Sequence, residues 1–153
     1  MAVNTPFSTG AILTAAQMNA LPFGLMVAYK EITTNQTGIT TAVDVTGASF
    51  TNLALKAGRK YMYQWAGLFQ CASAAKRINI FLSDGSTTFT QSIWFAHDNA
   101  TDYSYHGWYV ESSGSDATVT RKLRVQQQDA ATFQLTNGST FPLQFAVYDI
   151  GTA

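Results

Sequence analysis

The chain has 153 residues, of which 46% are apolar and only 12% charged, and nine basic side chains balance nine acidic ones. This length predicts one domain with a substantial core, and zero net charge excludes the long-range field that gathers nucleic acid or anionic lipid. The single cysteine excludes an internal disulfide, and no apolar run has the length of a membrane-spanning helix. We therefore expect neither nucleic acid nor membrane among the partners.

The first predicted element is a short helix in an N-terminal arm, residues 1–22. Thr14 is a suitable N-cap, Gln17 stands where a capping box requires Glu or Gln, and Pro22 ends the helix because the residue before a proline avoids the helical region. A helix of about two turns is unstable alone, so it must dock, either on its own domain as a lid or on a different chain as an attachment arm. The apolar side chains available for attachment are Phe7, Ile12, Leu13, Met18 and Leu21.

From residue 23 to residue 153 the pattern is one of strands and turns. A first strand is predicted at 25–33, a polar Thr/Gly loop at 34–41 and a second strand region at 43–55. Gly47 interrupts that region, which indicates a bulge or turn.

The clearest strand is 59–71, where every second residue from Tyr61 to Cys71 is apolar or glycine. Lys60, Gln64 and Gln70 fall on the opposite face. Another strand follows at 77–82, with Ile78, Ile80 and Leu82 inward. Asp84-Gly85 then predicts a two-residue hairpin turn. Its return strand, 87–95, has three apolar residues in phase, Phe89, Ile93 and Phe95.

The strand at 103–111 is apolar on both faces, so it is either central in a sandwich or covered by a neighbouring subunit. His106, Trp108 and Val110 share one face. Four aromatic residues of this strand have three possible roles. They could form a subunit interface, where Tyr and Trp are enriched, a platform that stacks against sugar rings, or part of an aromatic core. They are Tyr103, Tyr105, Trp108 and Tyr109.

The next strand, 119–125, places Arg121 in the inward phase with Val119 and Leu123. A buried arginine needs a paired carboxylate or a polar subunit junction, and the sequence leaves both open.

A short strand at 133–135, a turn at Asn137-Gly138 and a last strand at 141–150 complete about eight strands at roughly ten-residue spacing. This spacing predicts an all-β fold, an antiparallel β-sandwich of jelly-roll type.

The inventory of catalytic residues is small. Only two glutamates are present, which disfavours a paired-carboxylate glycosidase. The one His/Asp cluster is divided between a predicted loop and a predicted strand. His97, Asp98 and Asp102 fall in the loop, where such residues are usually solvated, and His106 falls in the strand, where a packing role is usual. We therefore expect no enzyme activity, no cofactor and no metal site.

The opening of the chain carries a family resemblance through Phe7, Gly10, Leu13-Thr14-Ala15-Ala16, Asn19 and Leu21-Pro22. These residues resemble the start of small virion proteins of tailed bacteriophages, notably those that infect actinobacteria. The similarity continues in three short segments, 57–61, 119–122 and 148–151.

The resemblance implies a virion component on the outer surface of the phage particle, made in the host cytoplasm. The opening motif occurs in capsid decoration proteins, head fibres and minor tail proteins. An arm followed by one compact domain suits a decoration protein that binds the major capsid protein and forms a homotrimer, as such proteins commonly do. The alternative is a minor tail or receptor-binding protein that contacts tail proteins and recognises a host-surface glycan.

Overall fold

The computed structural model describes residues 25–98 and 100–153. The predicted arm at 1–22 lies outside these residues, together with its helix and the five attachment side chains Phe7, Ile12, Leu13, Met18 and Leu21. In the part of the chain that is described there is no helix, and hence none long and apolar enough to cross a membrane.

Ten strands make up the described fold. Their bounds are β1 Leu25–Ile32, β2 Gln36–Ile39, β3 Val43–Leu55, β4 Arg59–Cys71, β5 Lys76–Ser83, β6 Thr88–Ala96, β7 Tyr103–Ser113, β8 Ala117–Gln127, β9 Phe133–Leu135 and β10 Leu143–Thr152.

Eight long strands pair as four nested antiparallel ribbons: β5 with β6, β4 with β7, β3 with β8, and β1 with β10. The ribbons alternate between two sheets, in the orders β1-β10-β4-β7 and β3-β8-β5-β6. This nesting is the arrangement of a jelly roll, so the predicted fold is confirmed. The short strands β9 and β2 extend the larger sheet beside the end of β4.

The core lies between the sheets and is rich in aromatic rings. Tyr61, Tyr63, Trp65 and Phe69 of β4 all face inward, as their alternation predicted. Ile78, Ile80 and Leu82 face them from β5, also as predicted. Most of the large aromatic side chains are therefore part of one sandwich core.

Two glycines let large rings lie across the β4–β7 ladder. Trp65 is paired with Gly107, and a Cβ on Gly107 would overlap the indole ring. Tyr105 is paired with Gly67, where a Cβ would lie 2.7 Å from the Tyr105 hydroxyl. The absence of a side chain at these positions is thus a packing requirement.

The prediction of a loop at 34–41 was wrong in part, because β2 lies within it. Gln36 pairs with Leu135 and Ile39 with Phe133. Only Ile39 is buried. A strand whose other residues are polar or glycine carries almost no alternation signal.

The prediction for 84–95 was also wrong in part. Four residues, 84–87, separate the paired Ser83 and Thr88, rather than the two expected. The register shifts at Phe89, since Leu82 pairs with Thr90 and Ser83 with Thr88. A bulge of this kind reverses the alternation that follows it. Ile93 and Phe95 therefore point to solvent, while Trp94 and Ala96 face the core.

The Asp84 carboxylate organises this longer turn. Its Oδ1 accepts hydrogen bonds from the backbone N–H groups of Ser86 and Thr87 and from the Ser86 hydroxyl. These bonds favour the ionised form, so they lower the pKa of Asp84 to about 2.

The bulge predicted at Gly47 is present. The pairing of β3 with β8 shifts register between Asp44 and Ser49, and Gly47 adopts a φ of 83°. A positive φ of this size favours glycine.

Candidate binding surface on the larger sheet

Strand β7 places its four predicted aromatic residues on two different faces. Tyr105 is only 1% exposed. Tyr109 packs on Phe89 with ring centroids 5.9 Å apart, and Tyr103 packs on Phe69 at 5.7 Å. Trp108 points the other way and is 66% exposed. Three of the four thus belong to the core side of the sheet, and Trp108 alone belongs to its outer surface.

Arg121 is buried between the sheets, and of the two alternatives the paired carboxylate is observed. Its Nη2 lies 2.8 Å from Glu111 Oε2, and its Nη1 donates to the Thr120 carbonyl oxygen at 2.8 Å. The guanidinium carbon stands 4.3 Å from the centre of the Phe89 ring, a cation–π distance.

The second oxygen of Glu111 completes this buried network by accepting a hydrogen bond from the Tyr63 hydroxyl at 2.6 Å. Burial, and next this bond to a carboxylate, raise the pKa of Tyr63 far above its ordinary value. Tyr63 therefore keeps its proton, and both oxygens of Glu111 have partners within the chain. The network holds the two sheets together and is enclosed by them.

Two residues of the predicted His/Asp cluster, His97 and Asp98, contact Tyr103, and Asp102 and His106 have other partners. The Tyr103 hydroxyl accepts from the backbone N–H of Asp98 at 2.7 Å, and Asp102 accepts from the Thr136 hydroxyl at 2.8 Å. His97 packs against Phe95, and His106 against the edge of Trp94. Across the described ranges, no three His, Cys, Asp or Glu side chains are grouped to hold a metal.

Trp108 stands at one end of a row of side chains that crosses the outer face of the larger sheet. The register pairs Trp108 with Gln64, Gln64 with Ala146, and Ala146 with Tyr29. Tyr29 is 43% exposed and stands on β1, at the opposite edge of the four long strands. The small Ala146 lies between the two aromatic residues and is buried.

One cross-strand row of outward-facing side chains lies on each side of this row. One contains Tyr148 and Met62, and the other contains Gln144 and Ala66. A depression of about 120 Å³ lies at the Tyr29 end of the row and does not reach Trp108. Its lining includes Tyr29, Tyr148, Gln64, Gln144, Ala146 and Ala66. We call this surface, from Tyr29 across Ala146 and Gln64 to Trp108, the aromatic trough.

Most of the trough was not found by sequence reasoning. The alternation in β7 singled out Trp108, and the alternation in β4 placed Gln64 on the polar face. Tyr29 and Tyr148 had an available signal in the phase of their strands. Their proximity to Trp108 depends on β10 lying between β1 and β4, and this order is set by pairing between distant segments.

A second exposed apolar region stands at the beginning of β1. Leu25 is 73% exposed, and Met26 and Val27 are exposed as well. Leu25 pairs with Asp149, whose carboxylate accepts two hydrogen bonds from Arg59 Nε at 3.0 and 2.8 Å. Strand β1 thus begins at the end of the sandwich held by this ion pair.

No protein-family model matches the sequence, and no curated protein matches it. Among solved structures, the chain is similar to a CBM22-1 xylan-binding domain from Paenibacillus barcinonensis, with 13% identity, a TM-score of 0.43, and coverage of 88% of this chain and 100% of that one. It is similar to a pilus protein of Bacillus endospore appendages, with 10% identity, a TM-score of 0.38, and coverage of 97% and 100%.

It is also similar to a chain in the structure of infectious bursal disease virus, Gx strain, with 12% identity and a TM-score of 0.38. That match covers 86% of this chain and 36% of the viral one. At these identities and TM-scores the likenesses assign no function.

Proposed function

We propose that this protein is a structural component of a tailed-bacteriophage virion, a decoration protein that attaches to the capsid through residues 1–22. Its β-sandwich stands on the outer surface of the particle as a homotrimer. It works by binding and has no catalytic role.

The observation that carries the proposal is the way the segments of the family resemblance meet. Tyr61 pairs with Asp149 on one side and with Glu111 on the other, and Glu111 holds Arg121. Two segments that are distant in the sequence, 57–61 and 148–151, are therefore neighbours at one end of the sandwich. The third segment, 119–122, is linked to them through the Glu111 side chain. A shared structural unit explains such clustering better than chance similarity of isolated motifs.

The position of Leu25, the first described residue, supports attachment at this same end. Leu25 is the partner of Asp149, so the arm connects beside the clustered segments. The exposed strip at Leu25, Met26 and Val27 extends the apolar character of the arm into β1. We assign this strip to the trimer contact, because a contact at the base of the arms brings all three arms together.

Three arms on one trimer would bind far more tightly than one. Each arm side chain that becomes fully buried contributes roughly 1.5–3 kcal/mol. Ordering the arm and losing translational freedom offset most of that gain. After one arm has bound, the other two act at a high effective concentration. The arm carries no Asp, Glu, Lys or Arg, so its binding should survive high salt.

The experiment mixes phage particles that lack the native protein with four versions of it. We expect the full chain to decorate the particles, while a chain beginning at Pro22 stays folded and trimeric but does not bind. Leu13→Asp should also abolish binding, and Thr5→Asp is its matched control with the same added charge. If the chain beginning at Pro22 still binds, the sandwich makes the contact; if it unfolds, the arm belongs to the core.

Imaging locates the protein on the particle. Ser73 lies in an exposed turn, and Cys71 is buried, so Ser73→Cys offers one accessible thiol for a heavy-atom label. We expect label over the whole head in electron micrographs, and no labelling of the parent chain. Label confined to the tail would contradict decoration and would favour the minor tail alternative.

A further inference from the structure

The aromatic trough has the chemistry of a site for an uncharged, hydroxyl-rich ligand. Its two ends are aromatic, Tyr29 and Trp108, and the amides of Gln64 and Gln144 stand between and beside them. Amide groups both donate and accept hydrogen bonds. The one carboxylate at its edge, Glu31, accepts a hydrogen bond from the Tyr29 hydroxyl at 3.3 Å.

We propose that the trough binds a neutral saccharide chain. The exposed Trp108 ring offers a flat apolar face to the C–H face of a sugar ring. Gln64 and Gln144 supply hydrogen bonds to hydroxyl groups, and Tyr29 supports the next part of the ligand. The proposal concerns this surface alone and holds wherever on the particle the chain is attached.

The dimensions suit an oligosaccharide. Two strands, β10 and β4, separate Tyr29 on β1 from Trp108 on β7. Three interstrand spacings place the backbones of these two residues about 14 Å apart. The depression lined by Ala146 and Ala66 adjoins Tyr29, and Trp108 stands on the far side of the exposed Gln64. A ligand that lies across the strands would touch both aromatic side chains at once.

A second protein copy fits the trough less well. The centre of a protein–protein interface is its most apolar part. Here the centre consists of alanines and exposed amides, and the aromatic side chains stand at the two ends. The polar centre favours a ligand with hydroxyl groups over a protein surface.

The test is calorimetric titration of the full-length protein with a panel of neutral gluco-, galacto-, manno-, xylo- and arabino-oligosaccharides. We expect at least one member to bind the parent chain. Trp108→Ala and Tyr29→Ala should each weaken that binding roughly tenfold or more. Phe95→Ala is the matched control, since Phe95 lies on the other sheet and has the same 43% exposure as Tyr29.

Two further measurements keep the result interpretable. Trp108→Phe retains a flat ring and should recover much of the lost affinity. Light scattering should give the same mass for the parent chain and for Trp108→Ala. Failure of every panel member to bind, or equal weakening by Phe95→Ala, would overturn the proposal. A change of oligomeric state on Trp108→Ala would identify the trough as a subunit interface and would overturn it as well.

Discussion

The two faces of the β4–β7 ribbon differ in how their side chains are partnered. On the inner face, Trp65 fills the space over Gly107, and Glu111 satisfies both Tyr63 and Arg121. On the outer face of the same ribbon, the ring of Trp108 is left largely in solvent. Gly107 and Trp108 are adjacent in β7, yet Gly107 contacts the buried Trp65 and Trp108 faces solvent.

The comparison teaches that aromatic content alone does not identify a binding surface. Tyr105 and Trp108 are three positions apart in the sequence, yet one is core and the other is exposed. An apolar side chain that the fold does not enclose is the informative case.

The largest contrast is expected between two tryptophans. Trp65→Ala should lower the free energy of unfolding by about 3–5 kcal/mol, because it leaves a cavity in a packed core. Trp108→Ala should change it by less than about 0.5 kcal/mol. Urea denaturation followed by circular dichroism measures both. Similar losses in the two variants would show that the outer face is also part of the stabilising structure.

Removing the buried carboxylate should be nearly as costly. Glu111→Ala leaves Arg121 buried without its counter-charge, and a loss of about 3–5 kcal/mol is expected in the same denaturation assay. Replacing the whole network, as Glu111→Leu with Arg121→Met and Tyr63→Phe, should recover much of that stability. The exposed pair of Lys56 and Asp116 is the control, and Lys56→Ala should have a much smaller effect. A triple variant no more stable than Glu111→Ala would argue against this account.

A single added methyl group tests the tight approach at Gly107. Gly107→Ala should cost about 1–3 kcal/mol, because the new Cβ overlaps the rigid, buried ring of Trp65. Gly114→Ala is the control, since no atom lies within 4 Å of its added Cβ. Thermal unfolding of the two variants should therefore differ clearly. Equal melting temperatures would mean that Trp65 can move aside at little cost.

The smallest effect is expected in the turn at 84–87, which belongs to neither face. The pKa of Asp84 is lowered to about 2 from an ordinary 3.8, so its contribution to stability is complete above pH 3.8. The contribution is lost as the pH falls through about 2. Asp84→Asn removes this titration, so the stability difference from the parent should shrink between pH 4 and pH 2. A constant difference across that range would exclude the carboxylate as its source.

The alternation of apolar and polar residues predicted which segments form strands and which of their faces are buried. The alternation from Tyr61 to Cys71 identified β4 and its buried face. The inward phase of Arg121 predicted either a paired carboxylate or a polar subunit junction, and the structure shows the carboxylate of Glu111. Glu111 could not be recognised as that partner, because its strand meets β4 and faces β8 only after the sheets have formed.

The errors arose where one residue changes the register. The bulge at Phe89 inverts the faces of Ile93 and Phe95, and nothing in the spacing of apolar residues distinguishes a bulge from a regular strand. The trough was missed for a related reason. It takes side chains from four strands whose order across the sheet is fixed by tertiary packing.

The nesting of the ribbons also affects the order in which the strand pairs form during folding. The innermost pair, β5 and β6, needs only the closure of a four-residue turn, whereas β1 and β10 join opposite ends of the described chain. Closing long loops is slow, and folding rates fall as contacts become more distant in sequence. During synthesis, β1 has no strand to pair with until β10 has been made, because β10 is its only partner among the described strands. Closure of the sandwich is therefore a late event, and an interrupted chain would expose β1 as an unpaired edge prone to aggregation.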